Sequence, residues 1–105
     1  MKRGEIWWAE LPKPAGRRPV VLLSRDEAYL VRELVTVAPV TTRIRNIPVE
    51  VPVGRREGLP RAGVANLDVI TTIPKNFLVE RIVVLSPEKM AELENAIKFA
   101  LDLEA

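Results

Sequence analysis

The sequence contains no histidine, no cysteine and no glutamine. Without histidine the chain lacks the usual base near neutral pH, the commonest metal ligand and a member of serine-hydrolase triads. Without cysteine there are no disulfides, no thiolate nucleophile and no cysteine-based zinc site. Glycine-rich phosphate loops, dinucleotide fingerprints and metalloprotease helices are missing as well, so neither a metal nor a cofactor is expected. No apolar run approaches the roughly 20 residues that cross a bilayer. The opening Met-Lys-Arg-Gly-Glu-Ile-Trp-Trp lacks the apolar stretch and cleavage site of a secretory signal. These absences lead to the expectation of a cytoplasmic protein with no membrane partner. The chemistry left is that of Arg, Lys, Asp, Glu, Ser, Thr, Tyr and the backbone.

Of the 105 residues, 48% are hydrophobic, enough to bury a core in one domain spanning residues 1–105. The net charge of +2 conceals an uneven distribution. Residues 1–61 hold twelve Lys or Arg against seven acids, and residues 62–105 hold four against seven. Eleven arginines against five lysines favour planar, bidentate recognition of phosphate and so a polyanionic partner. The same composition equally suits a solvated, arginine-rich surface.

Hydrophobic patterning predicts strands over 5–11, 19–24, 34–42 and 48–53, and shorter ones over 64–68 and 77–85. The run at 19–24 is nearly continuously apolar, as in a strand covered on both faces. Pro39 implies an edge or a bulge in the third strand, and Pro48 and Pro52 mark the fourth as an edge. Residues 25–32 suggest a short helical turn, 54–62 a basic loop, and Thr71-Thr72-Ile73-Pro74 a separator between the last two strands. A helix follows Ser86, with Ser86 as N-cap, Pro87 at the first position and Glu88 at the positive end of the dipole. Met90, Leu93, Ile97, Ala100 and Leu101 give it one apolar stripe for core or dimer packing. Short antiparallel strands closed by one C-terminal helix predict an α+β, partly open β-barrel.

Two segments carry candidate chemistry. In Gly16-Arg17-Arg18-Pro19, glycine allows a tight turn and proline fixes the strand entrance, so Arg18 has an anchored base while Arg17 is freer. In Thr41-Thr42-Arg43, with Arg45 beyond, hydroxyls beside guanidinium groups make a phosphate clamp, since both donate to phosphoryl oxygens. Taken alone, each segment also reads as a solvated loop or an ordinary strand end. Alternation puts Ile6 and Trp8 on one face of the first strand and Trp7 on the other. Trp8 is therefore expected in the core, while Trp7 suits either base stacking or interface packing.

Arg3-Gly4-Glu5-Ile6-Trp7-Trp8, then Arg18-Pro19-Val20-Val21-Leu22-Leu23-Ser24-Arg25-Asp26, Val40-Thr41-Thr42 and a closing amphipathic helix occur in that order. In this order the chain resembles the MazF/PemK family of toxin endoribonucleases over nearly its whole length. The resemblance implies an SH3-like barrel of the CcdB/PemK type and a homodimer. It also implies metal-independent, sequence-specific cleavage of single-stranded RNA, and a cognate antitoxin whose tail lies across the RNA groove. Arg18 then matches the family's catalytic arginine and Thr41 its threonine. Asp68 matches an acidic position near the site, expected as an ion-pair partner that orients Arg18 or as a proton acceptor. Arg17, Ser24, Arg25, Thr42, Arg43, Trp7 and Asn66 are candidate RNA contacts, as is the Arg55-Arg56 loop.

Three departures matter: the Glu-Gln segment that many members insert before the arginine is missing, Asn66 stands where some carry arginine, and no loop histidine is present. Short-loop members of the family act in some cases on tRNA or rRNA, so the RNA class stays open between mRNA and structured-RNA loops. Two other readings use the same fold: a CcdB-like poison of DNA gyrase and an SH3-like RNA-binding module without activity.

Overall fold

The computed structural model describes residues 1–103; the last two residues of the expected 1–105 domain lie outside them. Among the described residues, seven strands form one curled antiparallel sheet in the order β4-β5-β3-β2-β1-β7, and β6 pairs with the first half of β3. The strands are β1 (Glu5–Glu10), β2 (Arg17–Leu22), β3 (Leu34–Thr41), β4 (Glu50–Val53), β5 (Gly63–Asn66), β6 (Thr71–Pro74) and β7 (Leu78–Val84). Helix α1 (Ala28–Val31) is a single turn between β2 and β3, and α2 (Pro87–Ala100) follows β7. None of these helices is long and apolar enough to cross a membrane. The expected α+β half-barrel with a C-terminal helix is the observed architecture.

Each face of the sheet carries its own core. Ile6, Val21, Ala38, Val40, Val51, Val53 and Ala65 point to one side, where α2 supplies Leu93 and Ala96. Ala9, Val20, Leu22, Val35, Val37 and Ile73 point to the other side, beneath Tyr29, Leu11 and Phe77. Val20, Val21 and Leu22 are each at most 1% exposed, which accounts for their unbroken apolar run. At about 1.5–3 kcal/mol per fully buried side chain, these three anchor the strand that carries Arg17 and Arg18.

Several expectations shift. Strand β2 starts two residues earlier than expected and ends before Ser24, whose hydroxyl accepts the N–H of Thr36 at 2.8 Å. β3 is central rather than an edge. Its residues 34–37 pair with β6 and its residues 40–41 with β5, leaving Pro39 at the gap between them. Thr36 accepts from Leu23 on the β2 side, so by alternation the position lacking an N–H at Pro39 faces that gap, and no ladder bond is lost. The Thr71–Pro74 separator is itself a strand, because Ile73 is buried opposite Val35.

β4 is the edge expected from its prolines. Val51 and Val53 point inward while Pro52 is exposed. In α2, Ser86 accepts the N–H of Lys89 at 3.2 Å, completing the expected cap. The stripe centres on Leu93 and Ala96; Leu101 lies past the last helical residue and is 54% exposed.

Candidate nucleic-acid interface

Arg17 and Arg18 both lie within β2, not in a turn, and alternation sends them to opposite faces. The turn ahead of them closes when the N–H of Leu11 donates to Gly16 at 3.0 Å. Gly16 takes a φ of +65, a left-handed conformation that favours glycine. Arg17 faces Trp8, with its guanidinium carbon 4.9 Å from the ring centroid, and pairs with Glu10 at 2.9 Å and Glu80 at 3.7 Å. Arg18, on the other face, is half-buried and donates Nε to the Ala15 carbonyl at 3.2 Å. Among the described residues it has no carboxylate partner. One backbone contact thus fixes the side chain while its charge stays uncompensated.

Extending the strand register sets Thr41 opposite this arginine. β2 and β3 pair Val20 with Pro39 and Val21 with Ala38; continuing that register two residues brings Arg18 level with Thr41, on the same face. Thr41 Oγ1 accepts the N–H of Arg43 at 3.2 Å. With one lone pair so engaged, the hydroxyl proton is free to donate outward. Gly63 supports Thr41 from β5: a Cβ there would come within 2.5 Å of the Thr41 carbonyl oxygen, so the backbones meet where only glycine fits. Thr42 and Arg43 follow as exposed residues of the next loop.

Other candidates fall in different places. Trp7 is half-buried on Arg18's face and donates its indole N–H to Glu5 at 2.9 Å. Glu5 is buried and also 3.4 Å from Arg81. Burial pushes its carboxyl up, but hydrogen bonds from Trp7 and Lys2, the N-terminal charge and Arg81 together outweigh this and bring it below the usual carboxylate value. Asn66 is buried, its side-chain oxygen accepting the N–H of Asp68 at 2.9 Å in a 3-10 turn. Asp68 itself is exposed and makes no ion pair with Arg18; the expected orienting pair is not formed in this chain. Ser24 and Arg25 lie beyond the far end of β2, roughly 20 Å along the strand from Arg18 at ~3.3 Å per residue. Ser24 Oγ accepts the N–H of Thr36 at that far end.

Trp8 departs from expectation. Instead of entering the core it lines a cleft of about 100 Å³ with Pro19, Val40, Leu59, Pro60 and Arg61, next to Thr41 and Thr42. A larger groove, about 680 Å³, runs between the Arg55–Glu57 turn and the start of α2. Its rim balances Arg55, Arg56 and Lys89 against Glu57, Glu88 and Glu92, a poor match for a polyanion. Arg18, near the start of β2, and Arg43 and Arg45, just beyond the end of β3, have no carboxylate partner among the described residues, and we place the candidate site where they meet Thr41.

Residues 2–101 match the family described as PemK-like, MazF-like toxin of type II toxin-antitoxin system. The chain belongs to this family. It is 39% identical over 101 residues to a probable endoribonuclease MazF5 of Mycobacterium tuberculosis, covering 95% of this chain and 92% of that protein. The solved structure of Mycobacterium tuberculosis toxin MazF-mt6 superposes with a TM-score of 0.88 at 36% identity, covering 96% of this chain and 99% of the other. A mycobacterial endoribonuclease in complex with its cognate antitoxin gives 0.85 at 25% identity, covering 100% and 98%. In this MazF-like chain, the sequence patterns singled out Arg18 and Thr41 as candidates. They did not reveal Glu50, which is buried on β4 and accepts the N–H groups of Arg45 and Asn46. Its one signal was a charged residue within the valine alternation of an edge strand.

Proposed function

We propose that this chain is an endoribonuclease toxin that cuts single-stranded RNA with no cofactor, acts as a cytoplasmic homodimer of 1–105 units, and is held inactive by a cognate antitoxin. The observation that carries the reading is the pair of unspent donors, Arg18 and Thr41, level with each other on one sheet face. A phosphodiester seated there receives the guanidinium on one oxygen and the threonine hydroxyl on another. The RNA's own 2′-oxygen attacks the adjacent phosphorus. As that bond forms, the bond to the 5′-oxygen breaks, leaving a 2′,3′-cyclic phosphate. The proton lost at the 2′-oxygen is matched by one gained at the 5′-oxygen, so no co-reactant is consumed. Guanidinium is a donor without an acceptor, so Arg18 stabilises developing charge rather than taking the proton. Arg43 and Thr42 extend the phosphate contacts, and Trp7 offers a half-exposed ring on the same face.

The test is incubation of the purified chain with RNA in EDTA, beside Arg18→Ala. We expect cleavage by the parent, products ending in 2′,3′-cyclic phosphate, and a loss of about 100- to 1,000-fold in the variant. Cleavage that persists at a position carrying a 2′-deoxy substitution would overturn the mechanism. Binding without cleavage would make the chain an RNA-binding module, and inactivity towards RNA with inhibition of gyrase would make it a poison of a protein target.

A further inference from the structure

The loop that leaves Thr41 carries Arg43 and Arg45, and among the described residues neither pairs with a carboxylate side chain. An irregular connection bearing like charges would ordinarily sample many conformations. This one is pinned at both ends by side-chain oxygens. At its start the Thr41 hydroxyl accepts the N–H of Arg43. At its end Glu50 Oε1 accepts the N–H of Arg45 at 2.9 Å and that of Asn46 at 3.0 Å, while the N–H of Glu50 donates to Ile47 at 3.0 Å. Asn46 adopts a φ of +58, the left-handed region that asparagine tolerates better than most residues. Two consecutive N–H groups thereby converge on one carboxylate oxygen.

Glu50 is a costly way to hold a loop. It is only 9% exposed, and its second oxygen, Oε2, is buried without a hydrogen-bond partner. A valine like its neighbours would spare the chain an unsatisfied buried polar atom. The register shows what the residue faces. Glu50 pairs with Asn66, Val64 pairs with Thr41, and Thr41 is level with Arg18. Since Asn66 and Val64 are two apart on β5, Glu50 shares the face of Thr41 and Arg18.

We propose that Glu50 is a positioning residue: its Oε1 fixes the loop after β3 so that Arg43 and Arg45 form a second phosphate-binding pair beside Thr41. The proposal rests on the ribonuclease reading for the identity of the polyanion, but its structural half is measured independently. Glu50→Met keeps the bulk and removes the acceptor; Glu50→Gln keeps a carbonyl acceptor. With single-stranded RNA as substrate, Glu50→Met is expected to raise KM about ten-fold with kcat within about two-fold, and Glu50→Gln to restore most of the affinity. Hydrogen exchange at the Arg45 and Asn46 amides should be fast in the first variant and slow in the second.

Replacing Arg43 and Arg45 together by alanine should raise KM similarly. It should also flatten the slope of log affinity against log salt by about 1.4, roughly 0.7 for each single-strand phosphate contact. In that background Glu50→Met should add nothing, because both changes remove the same interaction. The proposal is overturned if Glu50→Met lowers stability or kcat with KM unchanged, or if its effect adds to that of the arginine pair. Where Glu50→Met does not fold, an unchanged KM in the arginine pair overturns it instead. A parent chain that leaves RNA intact brings down the ribonuclease reading and the phosphate assignment with it, and amide exchange then decides the clamp alone.

Discussion

Arg17 and Arg18 are neighbours in sequence, identical in chemistry, and opposite in situation. On one face, Arg17 lies over Trp8 with Glu10 and Glu80 around it, so its charge is spent. On the other, Arg18 has a single backbone carbonyl at Nε and no carboxylate. The difference comes from strand alternation, which assigns adjacent residues to opposite faces. An arginine that already has its partners serves the fold; one that is anchored and unpaired is available to a ligand. The sharpest way to break this comparison is to truncate each in turn. Arg18→Ala should lower kcat by about 100- to 1,000-fold and leave the melting temperature nearly unchanged. Arg17→Ala should cost up to about 1 kcal/mol of stability, since both its ion pairs are substantially exposed, with cleavage within a few-fold of the parent. If chemical denaturation and cleavage rates assign the effects the other way round, availability does not mark the functional arginine.

A smaller effect should follow from disturbing the partner of Arg18 without touching its side chain. Gly63→Ala places a methyl 2.5 Å from the Thr41 carbonyl oxygen and 3.2 Å from its carbon, where backbone must yield. The expected cost is about 1–3 kcal/mol of stability, as for overpacking elsewhere. A displacement of Thr41 approaching 1 Å can lower the rate by up to about 100-fold. Thr41→Val, which keeps the shape and removes the donor, gives the reference. Gly63→Ala with parental kcat would mean that the height of Thr41 relative to Arg18 is not critical.

The same contrast explains what was legible in the sequence. Buried strands announced themselves through Val20-Val21-Leu22 and the valines of β4, because a covered strand must be apolar. Arg18 and Thr41 were candidates through the family pattern, and placing them on one face needed only the register of two strands. Pro39 was read as marking an edge or a bulge, whereas a central strand tolerates a proline at a gap between two partners. β6 was obscured by its brevity and its single buried isoleucine. Trp8 was assigned to the core by alternation alone, which gives the face of a residue but not how far the curled sheet has opened at that point. Glu50 was hidden for a similar reason: its value lies in two backbone N–H groups four and five residues earlier, and no side-chain spacing encodes them.

The smallest expected effect tests whether the two roles can be separated within Arg18's own face. Glu5 lies there with Trp7, and its carboxylate is held by the Trp7 indole N–H, the Lys2 N–H and Arg81. Burial raises its carboxyl, but those contacts and the N-terminal charge lower it further, to below the ordinary value of 4.5. A depressed folded value means that the native state favours the charged form. The stability this contributes is fully present above pH 4.5 and fades as the pH falls from there through the lowered folded value. Glu5→Gln should therefore melt at a lower temperature than the parent at pH 7, and the gap should narrow on acidification below pH 4.5. Because Glu5 forms no bond with Arg18 or Thr41, kcat at pH 7 should stay within about two-fold of the parent, as expected for a surface whose functional charges are the unpaired ones. A pH-independent gap would show that the carboxylate's charge is not what holds Trp7. A large loss of kcat would tie Glu5 to the chemistry and erase the division between spent and available groups on that face.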